Sequence, residues 1–435
     1  MSTASKEAER ELRTAFAKFD LNGDGFMTLP ELRTVLKRPG GGQPMTDEQI
    51  EKLFKQMDVD GDGKVDLDEF SKALASGVAK VLVDPVAALP FEYSTPLLAM
   101  PFLRFKEQGR IYKSTKTWRD KALSQGWLVE YDEASSKIVI FNSHTWWDRE
   151  FTDETNHPDD PYDKGCPDWQ SGEKKDLKWR VICAGVEKLI KEQGLKAEEV
   201  VLWVDWQSIY QDAKEEKMKG VRSLIKYATL CDYMLVPTEE EFQSLFPELI
   251  PGYGSRGWCR AEYFIFSMAA EMRGRRAQLY AIHRNGSLVQ YPKVEVSGHN
   301  DMPSQGALSN PNDKALVQDL EDTMIDAYVP VIVEIHCKAG AGNVARLTAK
   351  MIRDCHVEAL FEAVNKYEVE YLHLNGNYQL GDAGAVAIAA MLRTNLSLKH
   401  LNLEYCKIGA VGENAVREAV KGHKGLKVLL REARS

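Results

Sequence analysis

The 435-residue sequence has no apolar run approaching the length needed to cross a bilayer, and no block of Lys and Arg long enough to track a phosphate backbone. Its first residues, Met1-Ser-Thr-Ala-Ser-Lys-Glu, lack the apolar core of a secretory signal. Cysteine is scarce. Seven are scattered along the chain, an odd number, and no two form a Cys-x-x-Cys pair. That argues against a disulfide framework or a zinc site and suits a reducing compartment. The expectation is a soluble, cytoplasmic protein with no membrane span and no nucleic-acid partner. What is present is ordinary for a globular chain: 44% hydrophobic, 28% charged, net charge -9. The length exceeds what one core usually organises, so two to four domains are expected.

The strongest chemical signal lies in residues 1–78. Asp20-Leu-Asn22-Gly-Asp24-Gly25-Phe26-Met27-Thr28-Leu-Pro-Glu31 fits a twelve-residue calcium loop position by position. Asp58-Val-Asp60-Gly-Asp62-Gly63-Lys64-Val65-Asp66-Leu-Asp-Glu69 does so again. Oxygens at positions 1, 3 and 5 converge on one side, and glycine at position 6 permits the bend. Position 7 (Phe26, Lys64) offers a backbone carbonyl, and the glutamate at position 12 closes the shell. Met27 and Val65, at position 8, are expected to join the loops through a short strand contact. Apolar residues at helical spacing flank both loops, Gly40-Gly-Gly-Gln-Pro44 reads as the hinge, and Thr46-Asp-Glu-Gln49 as a capping box. This is the pattern of an EF-hand pair with two calcium sites. The second site is expected to be the tighter, because it carries more carboxylates.

Residues 79–130 read as a connector. Prolines 85, 90, 96 and 101 exclude a continuous helix, and the basic segment Arg104–Lys121 reads as a solvated face. Beyond it the chain alternates. Lys137-Ile-Val-Ile-Phe141 is strand-like, Lys175 to Gln193 helical, Val200-Val-Leu-Trp-Val204 a second buried strand, Val221 to Leu230 helical and Tyr233-Met-Leu-Val-Pro237 a third strand. Such alternation implies a doubly wound parallel sheet with its site at the carboxyl ends of the strands. Ser143–Asp148, Asp205–Asp212 and the turn carrying Trp258 and Glu262 all fall at those ends. Trp258 and Glu262, four apart on a helix, could grip a flat cationic ring and a sugar hydroxyl; the alternative is a core tryptophan beside a solvated glutamate. The acidic loop Asp153–Asp168 holds His157 and five aspartates, without a constrained ligand spacing.

Five pieces in order carry a resemblance: Phe141-Asn-Ser-His-Thr-Trp-Trp, His157-Pro-Asp-Asp, Leu202-Trp-Val-Asp-Trp-Gln-Ser-Ile-Tyr-Gln, Cys231-Asp-Tyr-Met-Leu-Val and Arg256-Gly-Trp-Cys-Arg-Ala-Glu. The stretch from about 137 to 275 resembles a TIR domain, of the variety related to fungal heterokaryon-incompatibility domains. The resemblance implies a flavodoxin-like fold, self-association and, in the enzymatic members, NAD cleavage. Glu262 matches their catalytic glutamate and Trp258 the aromatic of the Trp-x-x-x-Glu motif. Ser143, His144, Trp146, Trp147, Asp205 and Trp206 are the expected remaining wall for NAD.

After an expected hairpin, Gln278–His283 with Leu288–Tyr291, residues 297–313 read as a surface loop and Ala315–Ala327 as a helix. Then a repeat appears. Tyr371-Leu372-His-Leu374-Asn-Gly-Asn377 recurs as His400-Leu401-Asn-Leu403-Glu-Tyr-Cys406, with Leu372 and Leu401 twenty-nine residues apart, and Val428-Leu429-Leu430 starts a third copy. This resembles the ribonuclease-inhibitor type of leucine-rich repeat, with Asn377 and Cys406 satisfying buried backbone groups. Two and a half repeats cannot bury a solenoid core unaided, so the array must lean on the preceding domain or be capped by the helix 357–367.

The expected architecture is multidomain: an α-helical EF-hand pair (1–78), a connector (79–130), a TIR-like α/β domain (131–292), a connecting segment (293–355) and a short repeat solenoid (356–435). Two functions follow, a calcium-binding signalling protein that cleaves NAD, or a non-enzymatic calcium-responsive scaffold whose repeats hold an unknown protein partner. A third possibility is that calcium is structural.

Overall fold

A computed structural model describes residues 13, 16–17, 19–36, 47–75, 91, 93–131, 137–152, 165–238, 253–273, 278–284, 286–290, 302–338, 343–421, 423 and 425–430. The hinge Gly40–Pro44, Thr46 of the capping box, the start of the expected connector and the acidic loop as far as 164, with His157, lie outside the described residues.

In the N-terminal unit, β1 (Met27–Thr28) pairs antiparallel with β2 (Lys64–Val65), and Met27 faces Val65 as position 8 requires. Both are wholly buried, with Leu32, Ile50, Leu53, Phe54 and Phe70 around them. Phe70 packs edge-on against Phe16, ring centroids 5.5 Å apart.

The described residues of the central unit form a seven-stranded sheet of β3 (Leu98–Pro101), β4 (Val129–Glu130), β5 (Ile138–Asn142), β6 (Val200–Trp203), β7 (Tyr233–Thr238), β8 (Leu279–His283) and β9 (Leu288–Gln290), in the order β4-β3-β6-β5-β7-β8-β9. Its parallel strands are β5 (Ile138–Asn142), β6 (Val200–Trp203), β7 (Tyr233–Thr238) and β8 (Leu279–His283). Taken in chain order they lie 2-1-3-4, so the order reverses beside β5 and opens a crevice at its carboxyl end. Side chains alternate strictly between two cores. Val139, Phe141, Val201, Trp203, Met234 and Val236 face one layer. Ile140, Val200, Leu202, Leu235 and Ile282 face the other, where Val181, Ile182, Val186 and Leu189 of helix Leu177–Gln193 cover them. A strand buried on both faces needs an unbroken apolar run, which these strands have.

Three expectations are corrected here. The sheet is mixed rather than purely parallel, because β3 (Leu98–Pro101), β4 (Val129–Glu130) and β9 (Leu288–Gln290) run antiparallel at its edges. Residues 97–130 are therefore part of the sheet domain and not a connector: Leu97 and Ala99 enter one core, Leu98 and Met100 the other. Pro101 is tolerated because it ends its strand. The 302–313 segment is no mere surface loop either, since Met302 and Pro303 are buried against the start of helix Gly257–Met272.

The expected connecting segment 293–355 likewise contains structure. Helix Lys314–Lys338 runs well past the expected 315–327 and packs against both helix Gly257–Met272 and helix Val357–Lys366. Its Val317, Met324, Ile325, Tyr328, Val329 and Val333 are completely buried, and the core passes through it without a break into the repeats. The repeat sheet begins at β10 (Val344–Arg346), followed in parallel by β11 (Tyr371–His373), β12 (His400–Asn402) and β13 (Lys427–Leu429). Ala345 occupies the inward position of Leu372, Leu401 and Val428, which hides the first repeat from a leucine pattern. The short array thus buries its open end against the central domain.

Asn377 is wholly buried at the strand-to-helix turn. Its Oδ1 accepts from Ile352 N–H (3.0 Å), and its Nδ2 donates to the carbonyls of Leu347 (2.9 Å) and Leu374 (2.7 Å). Cys406 Sγ donates to the same Leu374 carbonyl at 3.3 Å. Asn377→Ala strands the Ile352 N–H and the Leu347 carbonyl, while the Leu374 carbonyl keeps Cys406, so it should cost at least about 1–3 kcal/mol, read as a lower urea midpoint. An unchanged midpoint would show that water replaces the amide without loss.

Candidate functional site

Among the described residues, those expected to act gather at two places, the acidic loops and the carboxyl ends of β5 and β6.

Each acidic loop folds on its own carboxylates. In the first, Asp20 accepts N–H bonds from Gly23, Asp24 and Gly25, Asn22 Oδ1 from Asp24 N–H and Asp24 Oδ1 from Phe26 N–H. Glu31 is buried and accepts from the backbone of Leu21, Asn22 and Thr28 and from the Thr28 hydroxyl. Burial would raise its pKa, but those four donors outweigh it and hold the carboxyl below its usual value. Gly25 and Gly63 have φ of 87° and 83°, a region open to glycine, which is why position 6 admits little else.

The second loop is the more open to an ion. One oxygen each of Asp58, Asp60 and Glu69 lies within 4.8 Å of the others. Asp58 Oδ1 is buried with no hydrogen-bond partner among the described residues, whereas both oxygens of Asp20 are occupied by N–H groups. Glu69 closes back on Val59 and Asp60 N–H, and Lys64 N–H is held by Asp62. The position-7 side chains meet each other instead of the loops, Lys64 Nζ lying 4.7 Å from the Phe26 ring centre. Converging hard oxygens with one buried oxygen left over fit a divalent cation such as calcium.

At the sheet's crevice, β5 ends in Asn142, and the next residues turn across its top. Ser143 Oγ donates a short hydrogen bond to Glu262 Oε2 and lies 2.5 Å from the Tyr253 hydroxyl. With Ser143 donating to Glu262, Tyr253 donates to Ser143, a two-step relay into the carboxyl. Burial raises Glu262 to about 8; the Ser143 hydrogen bond opposes this and the Asp205 charge adds to it. The side chain itself stays partly open to solvent.

His144 is buried, with Nδ1 donating to the Asn142 carbonyl (3.2 Å) and Nε2 lying 3.2 Å from Asp205 Oδ1. Burial, then the nearby Lys178 ammonium, pull its pKa down against the attraction of Asp205. Asp205 stays below the usual carboxylate value: burial opposes this, but His144, the Trp206 N–H and the Trp146 indole together prevail. Trp146 Nε1 reaches Asp205 Oδ2 at 3.4 Å, and its ring meets Trp206 edge-on with centroids 5.0 Å apart.

The structure therefore brings together Ser143, His144, Trp146, Asp205 and Glu262. Trp206 and Trp147 are core residues that support this group. Trp258 is placed differently from the expectation, since its indole N–H is committed to Asp313 Oδ2 (3.0 Å) in the 302–313 segment. Asp168, the last aspartate of the acidic loop, caps helix Leu177–Gln193, accepting from the N–H groups of Lys178 and Trp179.

Tyr253 and Lys178 escaped the sequence reading. Lys178 has no accessible surface; its Nζ donates to the Thr145 carbonyl (2.5 Å) and sits 4.3 Å above the Trp147 ring. Burial drags it to about 7, with Asp168 and Asp205 holding it up. The helical pattern had hidden it, because Lys178 follows the inward Leu177 and reads as a polar neighbour. An ammonium that ionises more readily in the unfolded chain makes stability rise with pH between about 7 and 10.5. Lys178→Met should remove that rise, a difference on the order of a few kcal/mol across the window. Parallel urea midpoints for the two proteins from pH 7 to 10 would refute a buried, depressed lysine.

Comparison with known proteins agrees with the two ends of the chain. A family described as an EF-hand domain pair matches residues 9–75, and the leucine-rich repeat family matches 369–389 and 394–412. The chain is 47% identical over 72 residues to calmodulin-like protein 2 of Arabidopsis thaliana, covering 17% of this chain and 47% of that protein. It is 39% identical over 74 residues to probable calcium-binding protein CML28 of Oryza sativa subsp. japonica (17% and 43%) and 43% identical over 74 residues to CML17 of the same plant (17% and 45%). The chain spans about half the length of these curated relatives. By fold and by family the N-terminal unit is an EF-hand pair. The C-terminal unit is a leucine-rich repeat array, and a mixed α/β sheet domain joins them. Among the described residues, no helix is long and apolar enough to cross a membrane.

Proposed function

We propose that this chain is a cytoplasmic, calcium-binding signalling protein whose α/β domain, of the TIR-like kind, cleaves NAD between nicotinamide and ribose. The observation that carries the reading is Glu262 at the crevice beside β5, held by Ser143 and Tyr253 and facing the Asp205–His144 pair. In NAD the ring nitrogen is cationic, so the C1′–N bond breaks with its electrons going to neutral nicotinamide. The ribose is left as an oxocarbenium-like cation, as in glycoside hydrolysis. Glu262 is the group to stabilise that charge and hold the ribose hydroxyls. Water then adds to C1′ and loses a proton, giving ADP-ribose. Two calcium ions are assigned to the loops, through Asp20, Asn22, Asp24, Phe26 O and Glu31, and through Asp58, Asp60, Asp62, Lys64 O and Glu69. Activity through self-association of the sheet domain belongs to the same reading. The test is NAD consumption by the full chain at high concentration, with and without calcium.

A second reading is a non-enzymatic scaffold. It draws on the repeats, where Tyr371 of β11 and Tyr378 and Tyr405 of the turns after β11 and β12 are exposed, and Tyr371 stacks on His400 with ring centroids 6.3 Å apart. Exposed tyrosines of this kind suit a protein partner. Absence of NAD consumption in every assembly state would leave this reading in place.

A further inference from the structure

Tyr253 and Glu262 are fastened to one another through the backbone. Tyr253 lies in the turn that feeds helix Gly257–Met272, and its carbonyl accepts from Arg256 N–H (3.1 Å). Arg260 Nε, in the first turns of the helix, donates back to Gly254 O (2.6 Å). Ser143 belongs to the sheet instead. It follows the last residue of β5, and its own N–H donates to Leu235 O of β7 (3.1 Å). Its hydroxyl bridges sheet and helix. It is wholly buried, with the Tyr253 hydroxyl (2% exposed residue) on one side and Glu262 Oε2 on the other. A serine hydroxyl has one hydrogen, and an ionised carboxylate only accepts. That hydrogen therefore goes to Oε2, and Tyr253 must donate to Ser143, which keeps the serine aimed one way. Glu262 Oε1 has no hydrogen bond among the described residues, and the side chain is partly open to solvent.

We infer that Tyr253 and Ser143 are positioning residues for Glu262, committing its Oε2 so that Oε1 is the oxygen a ligand meets. The inference rests on reading the crevice as the place of NAD cleavage. A carboxyl tied at one oxygen by a buried donor does not swing, so Oε1 is held at one place beside the ribose. The same donor favours the charged form, against burial and the Asp205 charge, which both disfavour it. The other groups around Glu262 have their own engagements. Asp205, at the end of β6, meets the Trp206 N–H, the Trp146 indole and the His144 ring. The Cys259 thiol, one turn earlier on the helix, is kept protonated by burial and then by the Glu262 charge, and it donates to the His144 carbonyl (3.5 Å). Arg260 is turned to the carbonyls of Gly254 and Met302. Among the described residues Ser143 is the one hydrogen-bond donor to Glu262, so a change in how that carboxyl titrates reports on the chain of two hydroxyls.

The experiment uses the full chain with Ser143→Ala and Tyr253→Phe, each alone and each combined with Glu262→Gln. Urea midpoints from pH 5 to 10 are compared within each pair, and the difference follows Glu262. In the parent pair the stability lost with rising pH should level off near 8. In the Ser143→Ala pair the loss should continue about one pH unit further, as expected when a hydrogen bond to a charged group is removed. Tyr253→Phe, which removes one oxygen, should move it the same way by less. With NAD as substrate, kcat/KM of Ser143→Ala at pH 7 should fall about tenfold and level about one pH unit higher. Its kcat should stay below the parent even on the plateau, with KM moved less, because the freed carboxyl is misplaced. Titrations that coincide with the parent in both variants overturn the inference, whatever stability either loses at all pH values. Full recovery of kcat on the plateau overturns the positioning. The two readings fail separately. Moved titrations without NAD consumption in any protein keep the chain of hydroxyls and remove cleavage. NAD consumption with unmoved titrations does the reverse.

Discussion

Glu262→Gln should lower the rate of NAD consumption by roughly 10²-fold or more, with kcat and kcat/KM falling together. The amide keeps the shape and can still meet Ser143, but it brings no negative charge to an oxocarbenium-like ribose. The pH profile is a second readout. The carboxyl of the free protein is raised to about 8. If the ionised form is the working one, kcat/KM climbs with pH and levels above that value. Bound NAD places a cationic ring beside the carboxyl and lowers its pKa, so kcat should level at a lower pH. Stability moves the other way. A carboxyl whose pKa is raised on folding binds its proton more tightly in the folded state, so stability falls as pH rises from about 4.5 to about 8. Glu262→Gln should therefore be at least as stable as the parent at pH 8, which separates lost chemistry from lost fold. Equal NAD rates in the two proteins would remove Glu262 from the mechanism. A flat kcat/KM profile between pH 6 and 9 would remove its ionisation.

Glu69→Gln should weaken the tighter calcium site by about tenfold or more, the loss of a bidentate charged ligand, while Glu31→Gln should act on the weaker one. The ranking follows from charge and from hydrogen bonding. The second loop offers Asp58, Asp60, Asp62, Asp66 and Glu69, and leaves Asp58 Oδ1 without a hydrogen-bond partner among the described residues, where the first loop engages both oxygens of Asp20. Glu31 must also release four donors to serve an ion, where Glu69 releases three. Titration calorimetry on the full chain measures both sites at once. If Glu69→Gln spares the tighter phase and Glu31→Gln removes it, the order is inverted.

Whatever depends on neighbours along the chain is legible in the sequence. A calcium loop carries its ligands within twelve residues, so Asp20–Glu31 and Asp58–Glu69, and even the Met27–Val65 contact, could be read directly. Strands buried on both faces must be continuously apolar, so β5, β6 and β7 were visible as well. Asn377 was legible because the repeat places it at a fixed offset from Leu372 and Leu374. Tertiary structure decided the rest, because partners far apart in sequence leave no period to detect. Ser143 and Glu262 lie 119 residues apart, and nothing local announces that a serine and a tyrosine will hold that carboxyl. Lys178 reads as an ordinary polar position until Asp168 caps its helix and Trp147 covers it. Trp258, expected at the site by its spacing from Glu262, is turned away by Asp313, a residue of a segment with no strand or long-helix pattern of its own. The segment Arg104–Lys121 meets the loop after β6 through Ser114 and Tyr112, about a hundred residues away in sequence. Ala345 joins a leucine ladder only because β11 offers it an edge. Local pattern chooses the elements; burial and charge across the assembled strand ends choose which side chains meet.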